Sequence, residues 1–262
     1  MRQVLTIAGF DPGGGAGILA DVKAIHACGA YAAAVATAIT IQNTQEVRDA
    51  VELPPSLVND QCGALFDDFE FGAVKTGMLS SGEMVEAVAS ILTQRAPGVP
   101  LVVDPVMVSD SGFPLLEDGL EALKTKLLPH TTVVTPNLGE AEELSGIKIE
   151  SLDAMHHAAE HIAGLGPAGV LVKGGHAAFA LGTDVLWCGG SGVDLLPELT
   201  HSEIQVHGTG CTLASALATR LALGDDIEAA ARAAKRYVEQ VMAQAPDIGR
   251  GERRPGNHFP NS

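Results

Sequence analysis

Five short clusters along the 262-residue chain carry the residue types that chemistry at a phosphate or a polar ring requires. The most specific is His207-Gly208-Thr209-Gly210-Cys211-Thr212, followed by the small residues Ala214, Ser215, Ala216 and Ala218. Two glycines ahead of a helix leave backbone amides open to an anion, and a thiol in the first turn is expected to have its pKa lowered there. A buried, inert thiol remains the competing reading of Cys211. Lys173-Gly174-Gly175-His176 places a cation before amides that are free to meet phosphate oxygens. Asp104, in Asp104-Pro105-Val106-Met107, can hold a metal or cap a turn. Asn137 and Glu140 are spaced as a helix-capping pair, and equally as an Asn-x-x-Glu pair that orders Mg²⁺ waters beside a polyphosphate. Gly9-Phe10-Asp11-Pro12-Gly13-Gly14-Gly15-Ala16-Gly17 opens a helix that carries Asp21. Such a loop turns tightly and lets a ligand approach the backbone, or serves close packing alone.

Two familiar nucleotide motifs fail. No G-x-x-x-x-G-K-[ST] occurs, and Gln42-Asn43-Thr44 stands where a dinucleotide site needs an acid. His157-Ala158-Ala159-Glu160-His161 has the spacing of a zinc-protease helix, but it lies far in sequence from every glycine cluster and reads as a solvated face.

The elements that must position these clusters alternate. Strands are expected at 3–8, 38–41 (the end of an apolar stretch, 31–41, otherwise ambiguous by period), 71–76, 99–104, 131–135 and 168–173, with two shorter ones within 183–206. Helices are expected at 15–28, 55–67, 82–95, 116–128, 138–145, 151–164, 210–223 and 226–243. Strands separated by crossover helices predict a mainly parallel sheet covered on both faces, with ligands beyond the carboxyl ends of the strands. The chemical clusters follow predicted strands, as that architecture demands. No composition break divides the chain, so a single domain over 1–245 is expected, with 246–262 as a surface tail.

Composition narrows the partners. Sixteen Lys+Arg against 32 Asp+Glu leave a net charge of −16, which argues against nucleic acid and anionic membrane surfaces. Four scattered cysteines, without a C-x-x-C pair, indicate neither a zinc ribbon nor a disulfide framework. With no signal-like leader and no long apolar span, a cytoplasmic location is expected.

Taken in order, these clusters, with Lys75-Thr76-Gly77-Met78-Leu79, resemble the hydroxymethylpyrimidine/phosphomethylpyrimidine kinases of thiamine biosynthesis, a branch of the ribokinase-like superfamily. The resemblance runs from about residue 4 to residue 240. It implies a three-layer αβα sandwich, often a homodimer, that moves the γ-phosphoryl group of ATP to 4-amino-5-hydroxymethyl-2-methylpyrimidine and then to its monophosphate. On that resemblance Gln42 bonds the aminopyrimidine, Gly9, Ala16, Met78 and Val106 line its pocket, and Asp21 supports it. Asn137, Glu140, Thr209 and Lys173 handle the nucleotide, and Asp104 and Glu140 handle Mg²⁺. Lys173, Gly208 and Gly210 stabilise the transferring group, and Cys211 stands where most of the superfamily has a catalytic Asp. Phe10 and Gly13 depart from the hydroxyl residues usual there, Thr76 from an apolar one, and Gln205-Val206 from Asn-Thr. A pyridoxal kinase of the same branch and a non-catalytic pyrimidine sensor are the competing readings.

Overall fold

The computed structural model describes residues 1–109, 112–175, 177–198 and 205–259. From the amino terminus, β1 (Gln3–Phe10), α1 (Gly17–Ala27) and β2 (Tyr31–Gln42) form a parallel crossover unit, and a turn reverses β2 into β3 (Val47–Glu52). Next come α2 (Pro55–Phe66), β4 (Ala73–Thr76), β5 (Ser80–Ser81), α3 (Gly82–Arg95), β6 (Leu101–Val103), β7 (Leu116–Glu117) and α4 (Leu120–Ala122). Then follow β8 (Val133–Val134), α5 (Leu138–Ser145), α6 (Leu152–Ala163), β9 (Gly169–Val172), β10 (Asp184–Cys188) and β11 (Ser191–Leu195). The chain continues through β12 (Val206–His207), α7 (Thr209–Leu223), α8 (Ile227–Ala243) and β13 (Arg254–Pro255).

Nine strands make one sheet in the order β11-β10-β9-β8-β6-β4-β1-β2-β3. The six from β9 to β2 run parallel, while β10, β11 and β3 are antiparallel margins. Successive strand residues point to opposite faces. Val4, Ala73, Val102 and Val133 enter one core with residues of α1, α7 and α8, whereas Leu5, Val74, Val103 and Val134 enter another with residues of α2, α3, α5 and α6. This is the expected three-layer αβα arrangement. No helix among the described residues is long and apolar enough to cross a membrane.

Three stretches differ from the sequence reading. The expected helix over 116–128 is instead the short strand β7 paired with β5, one turn of α4, a wide π-type turn at Leu123–Leu127 and a 3₁₀ turn at Leu128–His130. Here the Asp118 carboxylate accepts the Gly82 amide of α3 at 3.0 Å, which ties 116–118 to a neighbouring element before a helix can start. The strand β3 was not expected, because Val47-Arg-Asp-Ala-Val-Glu52 carries charge on an exposed edge and is held by its pairing with β2 rather than by burial. The carboxyl-terminal stretch, expected as a surface tail, forms a strap. Its β13 pairs with β12, the Arg250 and Gly251 amides donate to Thr44 Oγ1 at 3.2 Å, and His258 is buried against Tyr237.

Candidate active site

The strand order reverses direction at β1. From β1 the chain goes through α1 to β2 on one side, then returns through α2 to β4 on the other. Such a switch opens a crevice beyond the strand ends. Here it holds a cavity of about 260 Å³ walled by the carboxyl ends of the parallel strands, the glycine loop and the start of α7.

The glycine loop is organised by one carboxylate. Asp11 accepts the amides of Gly13 (2.8 Å), Gly15 (3.1 Å) and Ala16 (2.9 Å). Burial works to raise its pKa, yet His207 and the Ala16 and Gly13 amides outweigh that and hold it below the usual carboxylate range. Gly17 begins α1 at φ +54°, where any Cβ would meet the Gly9 carbonyl oxygen at 2.3 Å. Across the cavity, Gly208 has φ +78° and a Cβ there would lie 1.9 Å from the Gly15 oxygen, so the loop and the start of α7 touch only through glycine.

At the opposite wall, Lys173 Nζ lies 3.0 Å from Asp104 Oδ1, which also accepts Thr135 Oγ1 at 3.3 Å. Burial disfavours the Lys173 charge, but Asp104 and Glu140 raise its pKa on balance. Asn137 and Glu140 form the reciprocal cap of α5, with Glu140 N donating to Asn137 Oδ1 (2.9 Å) and Asn137 N donating to Glu140 Oε2 (2.8 Å). Both residues also face the cavity, so the two roles left open by their spacing are compatible. Burial pushes Glu140 up to about 7, against the pull of Lys173 and with help from Asp104. Two carboxylates thus share one lysine, an oxygen-rich and under-neutralised corner that fits a hard divalent cation. Among the described residues no group of three or more His, Cys, Asp or Glu could hold a metal ion, so a cation there would take its remaining ligands from water or from the oxygens of a bound molecule.

No side chain caps α7, whose first turn carries Thr209, Gly210 and Cys211 at the cavity wall. The expectation of a low-pKa thiol is corrected here. Burial pushes Cys211 up to about 12; Lys75 and the Gly17 amide oppose this, while Asp21 and Asp104 add to it. Desolvation is the largest of these influences.

Gly9, Ala16, Gln42, Met78, Asp104, Val106, Asn137, Glu140, Lys173, Gly208, Thr209, Gly210 and Cys211 all line the cavity, as the sequence reading grouped them. Asp21 does not reach it. Its carboxylate lies beneath the floor, fully buried, bonded to Lys75 Nζ (2.8 and 2.9 Å), Thr6 Oγ1 (2.6 Å) and Ser215 Oγ (2.8 Å). Any support it gives a ligand is indirect. Among the wall residues that sequence reading left without a role are the polar Asp11, Thr40, Ser109 and His207. Gln42 Nε2 stands 2.8 Å from His207 Nε2, and Thr40 Oγ1 lies 3.1 Å from the other end of the same amide. His157 and His161 are exposed on α6, as a solvated face requires. His176 lies outside the described residues.

Comparison with known proteins agrees with this geometry. The family model "Phosphomethylpyrimidine kinase" matches residues 11–256. A hydroxymethylpyrimidine/phosphomethylpyrimidine kinase of Streptomyces coelicolor is 44% identical over 95% of this chain and 91% of its own. A thiamine biosynthesis bifunctional protein of Geobacter sulfurreducens is 43% identical over 98% of this chain, which spans about half (52%) of that longer protein. Among solved structures, the phosphomethylpyrimidine kinase of Clostridium difficile superposes with a TM-score of 0.80 at 40% identity, covering 91% of this chain and 98% of that one. The ADP complex of Staphylococcus aureus pyridoxal kinase superposes at 0.89 with 32% identity, covering 98% and 93%. With the match running nearly end to end and the glycine loop, the Lys173 corner and the α7 terminus converging on one cavity, the chain belongs to the phosphomethylpyrimidine kinase family.

Proposed function

We propose that this protein transfers the γ-phosphoryl group of ATP to the hydroxymethyl group of 4-amino-5-hydroxymethyl-2-methylpyrimidine, and then to the resulting monophosphate. One observation carries the reading: a single cavity joins an amide suited to a polar ring, Gln42, with the lysine and open helix terminus suited to a phosphoryl group, Lys173 and residues 208–211. Gln42 reads the ring, while Gly9, Ala16, Met78 and Val106 enclose it. Lys173 offsets charge on the transferring group, Gly208 and Gly210 leave the α7 amides free for its oxygens, and Thr209 and Asn137 face the nucleotide phosphates. Asp104 and Glu140 would hold Mg²⁺, which supplies charge neutralisation of the phosphates. Cys211 receives the proton of the attacking hydroxyl. Because the resting thiol is neutral, it takes the hydroxyl proton only as it hands its own proton to an oxygen of the transferring phosphoryl group, a relay compatible with a loose transition state that relies on positioning and electrostatics and loses the hydroxyl proton late.

The finer features are part of the same proposal. Exposed Ile39, Ile41 and Val51 share one face of the β2–β3 hairpin and support a homodimer. Four unpaired cysteines suit a reducing, cytoplasmic setting. A pyridoxal-type ring is the second reading, favoured by the close superposition on pyridoxal kinase.

The test is coupled ADP release with hydroxymethylpyrimidine, its monophosphate and pyridoxal side by side, for the wild type and Cys211→Ser. Turnover of both pyrimidines is expected, with a loss of roughly a hundredfold or more in kcat for Cys211→Ser and ring binding retained by calorimetry. Activity confined to pyridoxal would replace the substrate assignment. Wild-type turnover by Cys211→Ser would remove the proposed role of the thiol.

A further inference from the structure

The contact between Gln42 and His207 brings two nitrogens to 2.8 Å, and only one proton arrangement there satisfies its neighbours. With the amide nitrogen toward the imidazole, His207 Nε2 must present a lone pair. That lone pair then faces Asp11 Oδ2 at 3.5 Å, the carboxylate that accepts the three loop amides. In the same arrangement the single hydroxyl proton of Thr40 is asked to serve both the Phe10 carbonyl oxygen and Gln42 Oε1, each at 3.1 Å. Turning the amide by half a revolution removes both conflicts. His207 Nε2–H then donates to the Gln42 oxygen, with Asp11 favouring the proton on that nitrogen. The amide N–H donates to Thr40 Oγ1, and Thr40 donates to Phe10. Exchange of amide oxygen and nitrogen is decided by such networks.

We infer that His207 is a positioning residue for substrate choice, which fixes the Gln42 amide in one orientation so that its outer edge presents an acceptor and a donor in set order. This rests on the kinase reading above. An aminopyrimidine offers an exocyclic N–H beside a ring nitrogen, which matches that edge as adenine matches glutamine. A pyridine ring without an amino group beside its nitrogen has no N–H donor to pair with the amide oxygen. The fold protects the arrangement. The His207 ring packs where a Gly15 Cβ would come within 2.7 Å of Cδ2, and the His207 backbone is held in β12 by the carboxyl-terminal strap.

Steady-state kinetics with hydroxymethylpyrimidine and pyridoxal test this in the wild type, His207→Ala, His207→Gln, Gln42→Leu and the Ala/Leu double variant, with melting curves for each. His207→Ala is expected to raise KM for the aminopyrimidine about tenfold, with kcat within about threefold, and to lower its preference over pyridoxal by a similar factor. His207→Gln, which restores an N–H donor, recovers most of the KM. In the Gln42→Leu background His207→Ala changes KM less than about twofold, because it acts through that amide. Unchanged KM in His207→Ala, or an equal loss without Gln42, overturns the inference while leaving the kinase reading intact. Failure of the wild type to turn over the pyrimidine overturns both.

Discussion

Lys75 and Asp21 show how much of the site is held from below. Neither side chain has any exposure, and the ammonium bonds both carboxylate oxygens. Burial alone would discharge Lys75, yet Asp21 outweighs it and raises the pKa. Breaking such a pair leaves an uncompensated charge in the core, so Lys75→Met is expected to destabilise the protein by about 3–5 kcal/mol. Lys75→Met combined with Asp21→Leu is expected to regain much of that, since an apolar pair leaves no orphan charge. Urea melts of the three proteins check this, and equal stability of wild type and Lys75→Met would show that Asp21 finds other neutralisation. The same pair marks the limit of what residue spacing reveals. Cavity residues such as Lys173, Asn137 and Cys211 announce themselves by following strands, whereas Lys75 sits inside an apolar strand and Asp21 inside a helix. The expectation that Asp21 supports the ring rests on the family resemblance, since sequence shows the helix that carries it and not the direction of its side chain. Cys211 shows the same limit: a helix terminus is visible in sequence, and the desolvation that raises the thiol's pKa is not.

At the level of elements, the carboxyl-terminal strap has a titratable latch. His258 is buried, bonded to Tyr237 at 3.0 Å, and burial with the nearby Lys23 charge lowers its pKa from 6.5 to about 4. Because the folded-state value is depressed, the unfolded or detached strap takes up the proton first as the pH falls below 6.5. Stability present at pH 7 is therefore lost progressively toward pH 4, by at most about 3 kcal/mol. Limited proteolysis within the Arg250–Arg254 segment is expected to accelerate between pH 7 and 5 in the wild type and to lose much of that pH dependence in His258→Gln; identical profiles would remove the latch. The strap also shows which elements a sequence hides. Helices such as α3 and α5 were legible to the residue because their apolar faces repeat and, for α5, because Asn137 and Glu140 are spaced as a cap. The strands β3 and β13 were not, since neither buries an alternating face and the hydrogen bonds of β13 go to a distant partner, β12.

Over the whole molecule, the charge of −16 describes a surface, where Asp49, Asp60, Asp67, Asp68 and Glu70 are exposed along one stretch. The cavity inherits part of that deficit. Among the described residues that line it, Lys173 is the one lysine or arginine, set against the carboxyl groups of Asp11, Asp104 and Glu140. A triphosphate entering this field meets more negative charge than positive, and the free amides at the start of α7 offer only partial charges. On the proposed reading, neutralisation would be left to a cation that arrives with the nucleotide, which Asp104 and Glu140 would share. Removing Mg²⁺ with a chelator is expected to weaken binding of a non-hydrolysable ATP analogue by roughly a hundredfold, or about 2.7 kcal/mol. Neutralising the corner by Asp104→Asn is expected to narrow that gap from the metal-free side, because an unaccompanied triphosphate then meets one fewer repelling carboxylate. Calorimetric titrations of both proteins with and without Mg²⁺ decide it: equal affinities in the wild type under the two conditions would mean that Lys173 and the amides suffice, and that the acidic balance stops at the surface.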